Sequence, residues 1–460
     1  MNMRVGVFCS LLAVIGSVWA QGGEVLPVRE PLRLCTGEPM VAVYFFTHWW
    51  EPWKGSDEAV LNDLAKLRAM GVNTILLDHE ASQACDGDFK YLDRGHRLAA
   101  QAGMQIVPWL SLKTWSDMTS ESRRAWSMER YGAAVDVTEG GFLPYGPGTI
   151  AFGVKYAEDY LARYEEDGAL LHVLRNGERC PVIALTVEAA WRHTASLDPE
   201  TRLHFCRWLR AKYGSVDSLN KAWGTAYGDW FDVQPSDANV FDYQAACDAA
   251  RRDLPRPVAD HVAFRASIVS DALALQRAVL RETHPNLLVA AEIPYHFADE
   301  HPHAWAYTVS CASLPEMVAY ADIVFLRCSG LLTAKARKAA GDYIDRTHKP
   351  VIMMYRIAPA QGPGSPSVPD GQVADLFAHE VAAFCSGLGY YSWNEMVDVH
   401  IAMHAEGTTP KDSAVQVDQE HFDRLCGRVR AINLEYLSIY KQGLDKVNVP
   451  APALAETQEP

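Results

Sequence analysis

Apolar runs of strand length alternate with amphipathic helices eight times along this 460-residue chain, and that alternation constrains its fold more than any other feature. Met40–Trp50 (MVAVYFFTHWW) reads as strand one. Asp57–Met70 then carries Ala59, Val60, Leu64, Leu67 and Met70 on one helical face and stops at Gly71. Val72–Ala81 and Met104–Trp115 read as strands two and three, with a helix over Tyr91–Ala102 between them. A Gly/Pro-rich loop (Gly140–Gly148) and a helix near Val154–Glu166 lead to strand four, Pro181–Trp191. A helical insertion, Glu200–Gly224, and an aromatic loop, Tyr227–Tyr243, precede the helix Asp260–Glu282, which feeds strand five, Leu287–Tyr295. Strands six, seven and eight are Asp322–Gly330, Lys349–Ile357 and Leu388–Glu395, with a Pro/Gly/Ser loop at Pro359–Gly371 and a closing helix from Gln419 to about Tyr440.

Parallel strands need crossover helices, so eight such units predict an α/β chain folded as a (β/α)8 TIM barrel, with helical and loop insertions after strands three and four. The length suits this fold, which typically takes about 250 residues and exceeds 400 with insertions. The alternative is a doubly wound open sheet. No G-x-G-x-x-G or P-loop follows any strand, which removes its usual nucleotide-binding variants.

Hydrophobic residues make up 49% of the chain and charged residues 22%, a globular composition. The formal net charge of -15 repels phosphate backbones, so no nucleic-acid partner is expected. Core filling accounts for most of the 13 Trp and 19 Tyr, and rings on a neutral or acidic surface suit uncharged, CH-rich ligands such as sugars. Arg4, the apolar run Val5–Val18 and the small residues Val18 and Ala20 read as a secretory signal cleaved between Ala20 and Gln21. No later stretch approaches 18 apolar residues. The expectation is therefore a secreted or periplasmic protein without stable membrane insertion after cleavage. Residues 1–20 are predicted as the signal peptide, 21–448 as a single barrel domain and 449–460 as a disordered tail. The nine cysteines beyond Cys9 form no C-x-x-C pair, against a zinc ribbon or a disulfide scaffold, and their odd number leaves at least one thiol free or intermolecular. The oligomeric state is left open.

In a barrel of this kind the chemistry sits at the C-terminal ends of the strands. Those ends carry Trp49 and Trp50 on strand one, Asp78 and Glu80 on strand two, Trp109 on strand three, and Glu188 with Trp191 on strand four. They continue with Glu292 and Tyr295 on strand five, Arg327 on strand six, Tyr355 and Arg356 on strand seven, and Trp393, Asn394, Glu395 and Asp398 on strand eight. Several carboxylates among aromatic rings are the equipment of glycoside hydrolysis: one acid protonates the leaving oxygen, a second carboxylate attacks or activates water, and ring faces hold the sugar. Glu188 follows the apolar run Val182–Val187, and burial raises a carboxyl pKa, which suits a general acid. Glu292 and Glu395 are the candidates for the second carboxylate. The remaining rim residues are candidate substrate contacts. Arg327 and Arg356 would hold an acidic sugar or pair with rim carboxylates.

The segment Phe205–Thr225 (FCRWLRAKYGSVDSLNKAWGT) resembles the run F-x-x-W-L-x-x-x-Y-G-x-x-x-x-L-N-x-x-W-G-T that follows strand four in glycoside hydrolase family 42, the β-galactosidase family of the retaining clan A barrels. The order of the eight strands agrees over roughly residues 40–400. The resemblance implies that the acid/base Glu falls on Glu188, where Val187 replaces the usual preceding Asn, and that the sugar-platform Trp falls on Trp393. The family's nucleophile, a Glu ending strand seven, has no counterpart in VIMMYRIAP. Strand eight, Trp393-Asn394-Glu395-Met396-Val397-Asp398, is similar to the N-E-x-x-E motif of glycoside hydrolase family 99, with Asp398 replacing the second Glu. An oligo- or polysaccharide substrate is thus expected, with no cofactor and no metal.

Two other readings stand beside hydrolysis by carboxylates. A barrel that lost the strand-seven nucleophile would bind glycans without cleaving them. A metal-dependent hydrolase would use His48, Asp78, His79, Glu80 and His296, although no H-x-H or H-E-x-x-H motif marks such a site. Tyr355 as nucleophile is a further alternative within the hydrolase reading.

Overall fold

The computed structural model describes residues 24–47, 53–77, 89–110, 118–138, 141–143, 145–186, 199–234, 255–293, 320–328, 334–356, 374–393 and 419–449. Eight parallel strands form its centre: β1 (Val41–Tyr44), β2 (Thr74–Leu77), β3 (Gln105–Pro108), β4 (Glu178–Thr186), β5 (Leu288–Ile293), β6 (Ile323–Cys328), β7 (Val351–Arg356) and β8 (Gly387–Tyr391). They are hydrogen-bonded in the order β3-β2-β1-β8-β7-β6-β5-β4. A parallel bridge between Trp109, just past β3, and Ala184 of β4 joins the two ends, so the sheet closes as a (β/α)8 barrel. The strands read as near-continuous apolar runs because both their faces are covered.

Ten helices surround it among the described residues: α1 (Asp57–Ala69), α2 (Lys90–Gln101), α3 (Glu121–Tyr131), α4 (Pro147–Tyr164), α5 (Pro199–Tyr213), α6 (Val216–Trp223), α7 (Arg256–Thr283), α8 (Ala334–Thr347), α9 (Ala374–Phe384) and α10 (Gln419–Lys441). α1 shows how locally these are specified. The Ser56 side chain accepts from the Ala59 amide, Asp57 and Glu58 occupy the first turn, Lys66 and Arg68 the last, and Val60, Leu64 and Leu67 are buried. Alternation along the strands divides inside from outside. Tyr390 reaches outward, its hydroxyl donating to Asn433 of α10 at 2.6 Å. Its neighbour Gly389 faces in, where a Cβ would stand 2.2 Å from the Met354 sulfur, so a larger residue there would displace the Met354 side chain of β7.

Several predicted boundaries shift for identifiable reasons. α4 begins at Pro147, inside the expected Gly/Pro loop, because proline is preorganised for the first helical position and the Asp136 carboxylate accepts from the Gly148 and Thr149 amides. α7 starts at Arg256 rather than Asp260. α3, the hairpin Asp136–Thr138/Gly141–Leu143, and a terminal pair joining Glu24–Pro27 to Lys446–Val449 were not predicted. β4 is lengthened at its start, where Glu178–Pro181 pairs antiparallel with His172–Arg175.

The insertion after β4 has its own small core of Phe205, Leu209, Leu219, Val233 and Phe264, the last from α7. Asp260 of α7, 2% exposed, anchors it. Trp223 Nε1 donates to Asp260 at 2.8 Å, Lys212 Nζ at 2.7 Å, and the Tyr213 hydroxyl donates as well. Asn220 organises the turn that follows, accepting from the Tyr227 amide and donating to its carbonyl, both at 2.9 Å. The Tyr, Asn and Trp of the Phe205–Thr225 segment are therefore structural residues. Trp208 and Trp223 are half-buried and pack against this core.

Candidate active site

The loop after β1 is held at both ends by one side chain. Arg94 of α2 donates to the carbonyl of Thr47, to that of Trp53 at 2.7 Å, and to Asp57 at 2.6 Å. Hydrogen bonds from Arg94 and Arg97 hold the Asp57 carboxyl below the usual carboxylate range. Trp49 and Trp50 belong to this loop and lie outside the described residues, as do Asp78 and Glu80 after β2.

The C-terminal end of the barrel interior is aromatic. The Tyr44 ring stands 4.6 Å from Trp109, 4.7 Å from Phe46 and 5.0 Å from Tyr391. Trp109 is fully buried beneath Tyr44, which corrects its expected role: it supports the floor and offers no open face to a sugar. Tyr391 is half-buried and has the exposure a stacking ring needs.

Glu292 lies in this end of the barrel, 1% exposed, in register with Phe325 of β6. The preceding residue, Ala291, pairs with Thr186, the last residue of β4, and a register irregularity between Ala184 and Thr186 re-aims the strand end. Glu188 stands two positions beyond Thr186 in the sequence and lies outside the described residues, as do Trp191, Tyr295, Asn394, Glu395 and Asp398. Arg327 is the penultimate residue of β6 and Arg356 the last of β7, with Arg356 paired to Tyr391. His48, His79 and His296 are also outside the described residues, and among those described no cluster of three His, Cys, Asp or Glu could hold a metal.

Two further expectations are corrected. The Tyr355 ring packs at 3.7 Å from Phe377 of α9 and is 2% exposed, so it belongs to the layer between barrel and helix rather than to the cleft. Trp393 is fully buried, and its Nε1 donates to Asp63 of α1 at 3.2 Å, so it is not the open sugar platform. Tyr391, two positions earlier, is the ring that sequence reasoning missed. Both share the parity that would put them on the inner face of a strand, but β8 ends at Tyr391 and the chain has left the sheet by Trp393.

The family model described as Beta-galactosidase, glycoside hydrolase family 42, matches residues 44–422. A search of curated protein sequences finds no match. Among solved structures, the β-galactosidase of the psychrophilic Marinomonas ef1 shares 14% identity at a TM-score of 0.54, over 88% of this chain and 61% of that one. The β-galactosidase of the Antarctic haloarchaeon Halorubrum lacusprofundi shares 16% identity at 0.52, over 86% and 58%. The β-amylase catalytic domain of Paenibacillus polymyxa shares 14% identity at 0.50, over 78% and 94%. These likenesses are likenesses of fold, and the chain spans about three-fifths of the two β-galactosidases.

Proposed function

The chain belongs to glycoside hydrolase family 42, the β-galactosidase family, and from that premise we propose that it is an exported glycosidase that cleaves O-glycosidic bonds of an oligo- or polysaccharide. Glu188 acts as general acid, protonating the leaving glycosidic oxygen. Glu292 acts as the second carboxylate, attacking the anomeric carbon or activating water. The observation that carries this reading is the register of the two neighbouring strands: Thr186, which leads to Glu188, is paired with the residue before Glu292. Glu188 and Glu292 thus belong to neighbouring strand–helix units, and retention of configuration uses carboxyls about 5–5.5 Å apart. Glu395, which follows β8 in the sequence, is the alternative second carboxylate, and inversion uses carboxyls about 6.5–9.5 Å apart. Tyr391 is the stacking ring for the sugar.

The test is hydrolysis of a panel of aryl glycosides and plant, algal and host polysaccharides by residues 21–460, alongside Glu188→Gln, Glu292→Gln and Glu395→Gln. Loss of about 10²–10⁴-fold in kcat for Glu188→Gln and Glu292→Gln, with Glu395→Gln active, is the expected result. Loss in Glu395→Gln with Glu292→Gln active would move the second role to β8. Sequencing the N-terminus of the exported protein tests cleavage after Ala20.

One observation favours a second reading. β7, Val351–Arg356, contains no carboxylate, and Tyr355 is turned away from the cleft. A barrel that binds glycans without hydrolysis predicts saturable binding in the same panel with no product from any substrate.

A further inference from the structure

Asp63 is a buried carboxylate in the middle of α1, outside the barrel, and no step of the proposed chemistry uses it. Its side chain is 8% exposed. One oxygen, Oδ2, accepts two indole N–H groups, from Trp53 at 2.9 Å and from Trp393 at 3.2 Å. The other, Oδ1, accepts from Lys66 Nζ at 2.8 Å, a side chain 57% exposed. Both indoles are fully buried.

The two tryptophans come from different loops. Trp53 closes the segment after β1 that carries Trp49 and Trp50, and Trp393 directly precedes Asn394 and Glu395 after β8. β1 and β8 are neighbours in the barrel, with Tyr390 paired to Val43. A single oxygen thus joins Trp53 and Trp393, which stand 340 residues apart in the chain. A buried carboxylate needs compensating donors to be tolerated, and an indole N–H in the same place needs an acceptor, so neither side of this junction is stable without the other.

We propose that Asp63 is a positioning residue of the sugar cleft, locking the β1 and β8 rim loops to each other through Trp53 and Trp393. The inference rests on the glycosidase reading for its catalytic consequence, but the lock itself is testable without turnover. Lys66 contributes only an exposed ion pair and is not part of it.

The experiment compares Asp63→Leu, Asp63→Asn and Lys66→Met in the full mature chain, by steady-state kinetics on a cleaved glycoside and by amide hydrogen exchange. Asp63→Leu keeps the branched shape and removes the acceptor. Exchange in peptides ending at Trp53 and beginning at Tyr391 should then rise about tenfold, while Val182–Thr186 of β4 is unchanged. KM should rise and kcat/KM should fall by on the order of 10²-fold, the scale of a misplacement of about 1 Å. Asp63→Asn presents an amide oxygen to both indoles and should restore most of the activity and protection, and Lys66→Met should match wild type. Wild-type exchange at both peptides in Asp63→Leu, or a rise spread evenly around the barrel, overturns the proposal. If wild type cleaves nothing, the glycosidase reading fails while the exchange data still decide the role of Asp63.

Discussion

The rings of Tyr44 and Tyr391 stand 5.0 Å apart, tilted by 53°, where β1 meets β8 at the C-terminal end of the barrel. Tyr44 is buried by its neighbours while Tyr391 remains half-buried, so one ring props the other toward the open end.

This arrangement separates ring from hydroxyl. Tyr391→Phe keeps the stacking face and should leave KM within about twofold, whereas Tyr391→Ala should raise KM by roughly tenfold, the worth of one aromatic contact. Kinetics on the best substrate of the panel, or glycan affinity if none is cleaved, decides it. Equal effects of the two variants would assign the contribution to the hydroxyl.

Arg337 of α8 and Glu380 of α9 form a buried ion pair, with Nε donating to Oε1 at 2.9 Å and side-chain exposures of 7% and 0%. Removing one partner takes a compensating charge from a site away from water. Glu380→Gln should therefore cost about 3–5 kcal/mol in urea unfolding, and the double replacement Arg337→Met/Glu380→Leu should recover most of it. A loss below about 1 kcal/mol in Glu380→Gln would show that solvent reaches the pair.

Asp260 carries the insertion after β4. Asp260→Ala strands the Lys212, Tyr213 and Trp223 donors. It should sharply raise proteolytic cleavage within residues 199–234 while the barrel core stays protected, because that insertion has a separate hydrophobic cluster. Trp223→Phe, which loses one donor, should show the same pattern more weakly. Protease mapping of both variants distinguishes local from global loosening.

Asp167 gives a pH prediction. Burial raises its carboxyl pKa, but the hydrogen bond and charge of His96 and the Ala169 and Leu170 amides prevail and hold it below the usual range. A folded-state value below the unfolded one adds stability that is present above the unfolded pKa of about 3.9 and is lost as pH falls through the folded value. Wild type should therefore exceed Asp167→Asn in stability at pH 7, with the gap closing below about pH 4. A gap that stays constant down to pH 2.5 would rule out this linkage.

The barrel itself was legible in the chain. Both faces of each strand are enclosed, so β1–β8 appear as uninterrupted apolar runs, and the crossover helices appear as amphipathic ones, as α1 shows. The F-x-x-W-L segment was legible for the same local reason, since its Asn220 and Trp223 act on close neighbours in sequence, Asn220 bonding Tyr227 just beyond it. The candidate site was less so. A residue at a strand end can face the cleft, the helix layer or a neighbouring loop, and one position of slip exchanges these fates.

Tyr355, Trp393 and Tyr391 mark that boundary. Periodicity set the fold class, the Phe205–Thr225 motif carried the family resemblance, and the strand ends listed the carboxylates and rings near the rim, because those properties are carried by the order of residues along the chain. Only the tertiary structure decided that Tyr355 packs on Phe377, that Trp393 is tied to Asp63, and that Tyr391 is the half-open ring beside Tyr44. Where a strand ends, and what covers its last side chain, depends on helices and strands brought together from hundreds of residues away, and no local pattern records those contacts.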